Sequence, residues 1–172
     1  VRDLGDVPSY SLAPEIELLS LPGVIEIVPA SDTLGIYVDP SAFDQVKLKE
    51  AVESNAHWVG DRMAVAQHRV PVCYELGPDM ESVATELGLS SAQVAHLHAS
   101  ETYRCYAIGF VPGFPYLGRL PVPLRGARRL ETPRVRVPNG AVGIALDQTG
   151  IYPGGSPGGW QIIGRTAAIL FD

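Results

Sequence analysis

The sequence predicts a small α+β domain over residues 1–76 followed by a mainly β domain over residues 77–172. Three observations predict this. Of the 18 glycines, 12 lie between Gly109 and Gly164, and 8 of the 15 prolines share that window. Both residues disfavour helix interiors, so the window reads as short strands joined by shaped turns, as in a small barrel or sandwich. Ahead of it the apolar pattern runs strand, strand, helix, strand, the order of an α+β unit. Charge divides along the chain too. Residues 1–101 hold 16 Asp and Glu against 5 Lys and Arg, whereas residues 102–172 hold 3 against 8, all of the latter arginine.

The elements follow in order. Val24–Val28 is the first strand, ended by Pro29, and Leu34–Val38 is the second. Pro29-Ala30-Ser31-Asp32 is a turn-like hairpin link between them. Ser41 is placed to cap a helix running to about Asn55, with Phe43, Val46, Leu48 and Val52 on a partly apolar face. Arg69–Tyr74 is a third strand candidate. Asp79 then caps a helix with Met80, Val83, Ala84 and Leu87 at helical spacing, and Gly88 falls at its C-cap. Ser90 or Ser91 caps a second helix through Val94, Leu97 and His98. From Thr102 to Phe110 the period changes to that of a strand, rich in aromatics. The domain boundary is expected near Glu75–Asp79.

Composition excludes several classes. No apolar run approaches the roughly 20 residues that cross a bilayer. No basic segment followed by an apolar stretch opens the sequence, so no signal peptide is expected and the default location is the cytoplasm. Cys73 and Cys105 match no zinc or redox spacing and are expected as buried thiols. The chain is acidic at −6 and carries no nucleic-acid-binding motif. The arginine-only half suits planar recognition of carboxylate or phosphate, or else forms a solvated face or a contact between subunits.

Each catalytic motif stands or falls by what its chemistry needs. Gly154-Gly155-Ser156-Pro157-Gly158 fits G-x-S-x-G, but Pro157, Gly158 and Gly159 prevent the helix that must follow a nucleophile elbow. The general-base histidine should also come later, yet the last histidine is His98. A shaped turn is the expectation. The same stretch lacks the second serine of an amidase-signature core, and the only lysines are Lys47 and Lys49. No Gly-Lys-Ser/Thr loop exists to bind ATP. His96 and His98 point to different helix faces, so no metal site is expected. His98 sits where helix turns into strand, and is either a proton-transfer or substrate contact or a hydrogen-bonded structural residue.

Several runs resemble a known family. Gly109-Phe-Val-Pro-Gly-Phe-Pro-Tyr-Leu-Gly118, Thr132-Pro-Arg-Val-Arg-Val-Pro-Asn-Gly140, Gln148-Thr-Gly-Ile-Tyr-Pro153 and Ser156-Pro-Gly-Gly-Trp-Gln-Ile-Ile-Gly-Arg-Thr166 occur in order at tight spacing. Val70-Pro-Val-Cys-Tyr74 and the step from His98 to Tyr103 add to them. Together they resemble the family that holds the B component of 5-oxoprolinase, allophanate hydrolase subunit 1 and a sporulation-kinase inhibitor (KipI-like). The resemblance implies a cyclophilin-like β-barrel behind a small α+β domain. It implies an ATP-dependent amide hydrolase, with ATP and Mg used at the level of a complex. The expected partners are a homologous larger subunit (the C component of 5-oxoprolinase, or allophanate hydrolase subunit 2) and a further A component. The expected reaction opens 5-oxo-L-proline to L-glutamate. Allophanate hydrolysis, or inhibition of a histidine kinase, are the alternatives. Relatives carry an apolar strand and helix where Val7–Leu21 is short and Pro-rich. They also continue past Leu170-Phe-Asp172, so the barrel is expected to be truncated at its C-terminal end.

The chemistry implied by that family assigns expected roles. Opening a stable lactam requires an activated carbonyl and a firmly held carboxylate. Arg134, Arg136 and Arg165 are the expected anion contacts, and His98 completes the expected catalytic set. Phe110, Phe114, Tyr116, Tyr152 and Trp160 are expected to wall a pocket, with Gln148 and Tyr152 orienting substrate. The alternative for each is barrel structure: aromatics as core, arginines as interface.

Overall fold

The structure, a computed structural model, describes residues 20–30, 33–55 and 66–172. It divides between Gln67 and His68 into two compact units. The expected boundary near residue 76 therefore falls too late, because Cys73 pairs with Arg165 by reciprocal backbone hydrogen bonds of 2.8 and 2.9 Å. That pairing makes residues 68–76 part of the second unit. The short Pro-rich stretch from Val7 lies almost wholly outside the described residues.

In the first unit, β1 (Val24–Ala30) and β2 (Thr33–Val38) form an antiparallel hairpin. The first strand continues through Pro29, which pairs with Leu34. In a two-stranded ribbon each strand has a free edge, so a residue without an N–H is tolerated there. Helix α1 (Gln45–Asn55) follows. Its cap is Asp44 rather than Ser41. The Asp44 carboxylate accepts the N–H groups of Val46 and Lys47 at 3.0 and 3.2 Å, while Ser41 bonds to Asp39. Leu48 and Val52 of α1 pack with Leu21, Val24, Leu34 and Ile36 around Ile27. Val46 is exposed instead of facing this core.

The second unit opens without the expected strand over Arg69–Tyr74. Only the Cys73 bridge is strand-like, and a 3-10 turn follows at Tyr74–Leu76. Helices α2 (Met80–Leu87) and α3 (Ser91–Ala99) stand where the periodicity placed them. Gly88 ends α2 in the left-handed region at φ 68°. Ser90 caps α3 in a reciprocal box with Gln93.

Seven further strands follow: β3 (Arg104–Ile108), β4 (Pro115–Gly118), β5 (Arg134–Val137), β6 (Ala141–Ala145), β7 (Gln148–Ile151), β8 (Ser156–Gly158) and β9 (Gln161–Arg165). Five make one antiparallel sheet in the order β3-β4-β7-β6-β9, and β5 pairs with β8. The fold is mainly β here, as the glycine and proline distribution predicted.

Every residue of β6 is buried, so both faces of the sheet are covered. Alternation sends Val142, Ile144, Ile151 and Ile163 to one face, where Val83, Ala84 and Val94 of α2 and α3 meet them. Ala141, Ala145 and Ile162 face the other way, toward Phe114, Val137, Tyr152 and Trp160. Gly150 shows how closely that second layer sits. A Cβ there would lie 2.7 Å from the tip of the Phe114 ring. Among the described residues no helix is long and apolar enough to cross a membrane.

Candidate functional site

The residues expected to form a site divide into those the fold consumes and those it leaves free. His98 belongs to the first group. It lies at the end of α3 and is 6% exposed. Its Nδ1 is 2.8 Å from the Tyr74 hydroxyl, and its Nε2 is 2.9 Å from Thr149 Oγ1 on β7. Thr149 donates its one hydroxyl proton to the Gly143 carbonyl at 3.0 Å. Nε2 must then be the donor to Thr149, and Nδ1 the acceptor from Tyr74. Tyr103 closes the group by donating to the His98 carbonyl at 3.0 Å. Burial pushes the imidazole down to about 4, and the same burial pushes the Tyr74 hydroxyl up. A neutral imidazole with both nitrogens engaged is a clamp between helix and sheet. It fits the hydrogen-bonded structural alternative for His98.

Arg134 is consumed likewise. Its guanidinium pairs with the Asp79 carboxylate at 2.5 Å and reaches the Trp160 carbonyl at 3.4 Å. The other Asp79 oxygen accepts the Ile162 N–H at 2.6 Å. Asp79 stands at the N-cap position of α2 but makes no side-chain cap bond. Its carboxylate ties α2 to β5 and β9 instead. Arg134 is thus a structural cation rather than a free anion contact.

The aromatics form one packed cluster. Phe114 lies edge-on to Tyr116, Tyr152 and Trp160, with ring centroids 4.9, 5.0 and 5.5 Å away. Phe114, Tyr152 and Trp160 are buried, so they are core and not the wall of an open pocket. Burial raises the Tyr152 hydroxyl above its ordinary value, against a hydrogen bond from the Trp160 backbone. Ser156 of the G-x-S-x-G run is buried on β8 and opposes Val137. It is no exposed nucleophile.

Five candidates keep reach to solvent, Phe110 among them. Arg136 is exposed and has no ion-pair partner among the described residues. Its guanidinium lies on the backbone of Gly155, where a Cβ would meet Nε at 2.7 Å. Arg165 is exposed on β9 and spends only Nε, on the Asn139 carbonyl at 2.9 Å. Gln148 and Tyr116 are half-buried on the adjacent strands β7 and β4. The structure therefore separates the expected set rather than assembling it around one point. Both cysteines are exposed rather than buried. Cys73 donates to Glu75 at 3.2 Å and Cys105 to the Ala107 carbonyl at 3.4 Å. No group of three or more His, Cys, Asp or Glu suited to a metal exists among the described residues.

Phe110 meets only the edge of the packed rings, its centroid 5.7 Å from that of Phe114, and stays 60% exposed. It adopts φ +67°, and Val111 N–H closes back onto the Gly109 carbonyl at 2.8 Å, making a γ-turn. A bulky side chain in the left-handed region costs about 1–3 kcal/mol and persists only where its surroundings impose it. The turn is held by bonds from Gly109 N–H to the Phe114 carbonyl and from Phe114 N–H to the Val111 carbonyl, both 3.1 Å. No sequence signal marked this strain.

An antiparallel β domain with a helical pair on one sheet face is the class this geometry defines. The sequence matches the family described as carboxyltransferase domain, subdomain C and D, over residues 9–172. It is 41% identical over 162 residues to the B component of 5-oxoprolinase from Escherichia coli O157:H7, covering 90% of this chain and 72% of that protein. It is 38% identical over 178 residues to the corresponding 5-oxoprolinase component of Bacillus subtilis (strain 168), covering 94% of this chain and 73% of that protein. The crystal structure of TTHA0988 superposes with a TM-score of 0.79 at 36% identity, over 95% of this chain but only 32% of TTHA0988. The chain belongs to the carboxyltransferase-domain subdomain C and D family, in which these two relatives bear the name of the 5-oxoprolinase B component.

Proposed function

We propose that this chain is a non-autonomous subunit of an ATP-dependent amide hydrolase, a 5-oxoprolinase that opens 5-oxo-L-proline to L-glutamate together with a homologous larger subunit. The observation that carries the reading is the 41% identity to a named 5-oxoprolinase component across nine-tenths of the chain. The geometry supports the non-autonomous part. His98 is locked as a neutral clamp, Arg134 is ion-paired and Ser156 is buried, so the expected catalytic groups are spent on the fold. ATP, with Mg, enters at the level of the complex, because the sequence holds no Gly-Lys-Ser/Thr loop.

In this reading Arg136 holds an anionic group of the substrate or of its activated form. A guanidinium on a glycine backbone presents its donors outward in a fixed plane. The test is ATP-dependent glutamate formation from 5-oxoproline by the purified complex, with and without this chain. Glutamate release that requires the chain supports the reading. An intact complex with no conversion removes it. Arg136→Ala in that complex is expected to raise KM for 5-oxoproline about tenfold, the weight of one charge-assisted contact. An unchanged KM would take Arg136 out of the site.

A further inference from the structure

We propose that the Ile108–Phe110 lip of the second unit is the docking surface for the partner chain, which receives Phe110 in an apolar pocket. The inference rests on the reading of this chain as one member of a complex and deepens it. Ile108 is 70% exposed and Phe110 60%, and they flank Gly109 at the end of β3. From Cys105 to Gly118 the sequence contains no charged residue at all. Within that run Cys105, Ile108, Phe110 and Pro112 are exposed, and an uncharged patch with an aromatic at its tip matches the centre of a protein interface, where charge is depleted and aromatic anchors dominate. Single exposed apolar residues need no explanation, but a strained one does. The γ-turn at Phe110 holds the ring outward, edge-on to Phe114 at 5.7 Å, where a glycine would relieve the backbone. Behind the turn, Gly113 lies against Phe171, so the lip is braced rather than loose.

The relatives point to the occupant. The E. coli and B. subtilis proteins are named as one component of a multi-chain enzyme, whereas TTHA0988 holds the matching region as about a third of one longer chain. A region found both as a separate component and fused into a longer chain is one that packs against the remainder. The matched region is 72% and 73% of those components, so the partner is a separate chain corresponding to what TTHA0988 holds beyond one whole component, and its contact is an apolar pocket without charge.

The test measures binding of that partner chain to this one by titration calorimetry and sedimentation. Phe110→Gly is expected to weaken binding at least tenfold while raising the melting temperature, since it removes both ring and strain. Ile108→Ser is expected to weaken binding severalfold with the fold intact. Val135→Ser changes a residue that is 89% exposed on β5, and is expected to bind as the parent does. Parent-like affinity in both lip variants would overturn the proposal while leaving the proposed function in place. Failure of the unaltered chain to bind the partner would sink the proposed function itself. A dimer of the chain alone that Phe110→Gly dissociates would assign the lip to a second copy and equally overturn the proposal.

Discussion

The two faces of the five-stranded sheet are built on different principles. On the helix face, branched aliphatics of β6, β7 and β9 meet α2 and α3, and polar anchors set the distance. His98 reaches Thr149 from α3, and Asp79 reaches Ile162 from the start of α2. On the opposite face the strands present Ala141, Gly143, Ala145 and Gly150, over which Phe114, Tyr116, Tyr152 and Trp160 lie. There the Tyr152 hydroxyl takes a bond from the Trp160 backbone, but ring size and the missing Cβ atoms determine the spacing. This contrast limits where the molecule has room for function. A face held by hydrogen-bonded titratable groups has spent them, so the residues left for contact are the exposed arginines and the lip at Phe110.

The largest loss is expected on the aromatic side. Phe114→Ala removes the ring that touches every other member of that cluster. It should cost about 4 kcal/mol in chemical denaturation. A loss under about 1 kcal/mol would mean the cluster is loosely packed. On the helix side, Asp79→Ala leaves a guanidinium and the Ile162 N–H without their acceptor. Arg134 keeps some solvent, so the expected loss is about 3 kcal/mol, below that of a fully buried pair. Asp79→Asn should recover part of it by accepting the Ile162 N–H again.

Acid distinguishes the faces without mutation. The folded value of about 4 for His98 lies below the roughly 6.5 of a free imidazole, so protonation favours the unfolded chain. The clamp's contribution is complete above about pH 6.5 and is lost as pH falls through 6.5 toward 4. The expected loss is on the order of 3 kcal/mol across that window. Melting temperatures from about pH 7.5 to about pH 4.5 should fall more steeply for the parent chain than for His98→Asn. Parallel curves would show that His98 is not the group being titrated. The smallest effect sharpens the aromatic side. Gly150→Ala should cost about 2 kcal/mol by overpacking, and Phe114→Leu in the same chain should relieve part of that.

Local order was legible in the sequence wherever a single segment decides it. Met80, Val83, Ala84 and Leu87 show α2 by their spacing, and Gly88 shows its end, because helix period and left-handed caps are local properties. The concentration of glycine and proline after Gly109 showed the β character for the same reason. The site was less legible. Arg134 and Arg136 are two apart and look alike in sequence, yet one is paired with Asp79, 55 residues away, and the other lies on the Gly155 backbone. Asp79 read as a helix cap because its local position is that of a cap, and the competing partners Arg134 and Ile162 come from distant strands.

The hairpin, the three helices, the β character after Gly109, the uncharged run from Cys105 to Gly118 and the family motifs are all written in neighbouring residues. Only the tertiary structure decided which polar groups are spent and which remain. His98 becomes a clamp through Tyr74 and Thr149, 24 and 51 residues away, and Phe110 becomes a strained lip through the hydrogen bonds that close its turn. Burial and partner choice are properties of packed surfaces, and no spacing along one strand encodes which surface will arrive against it.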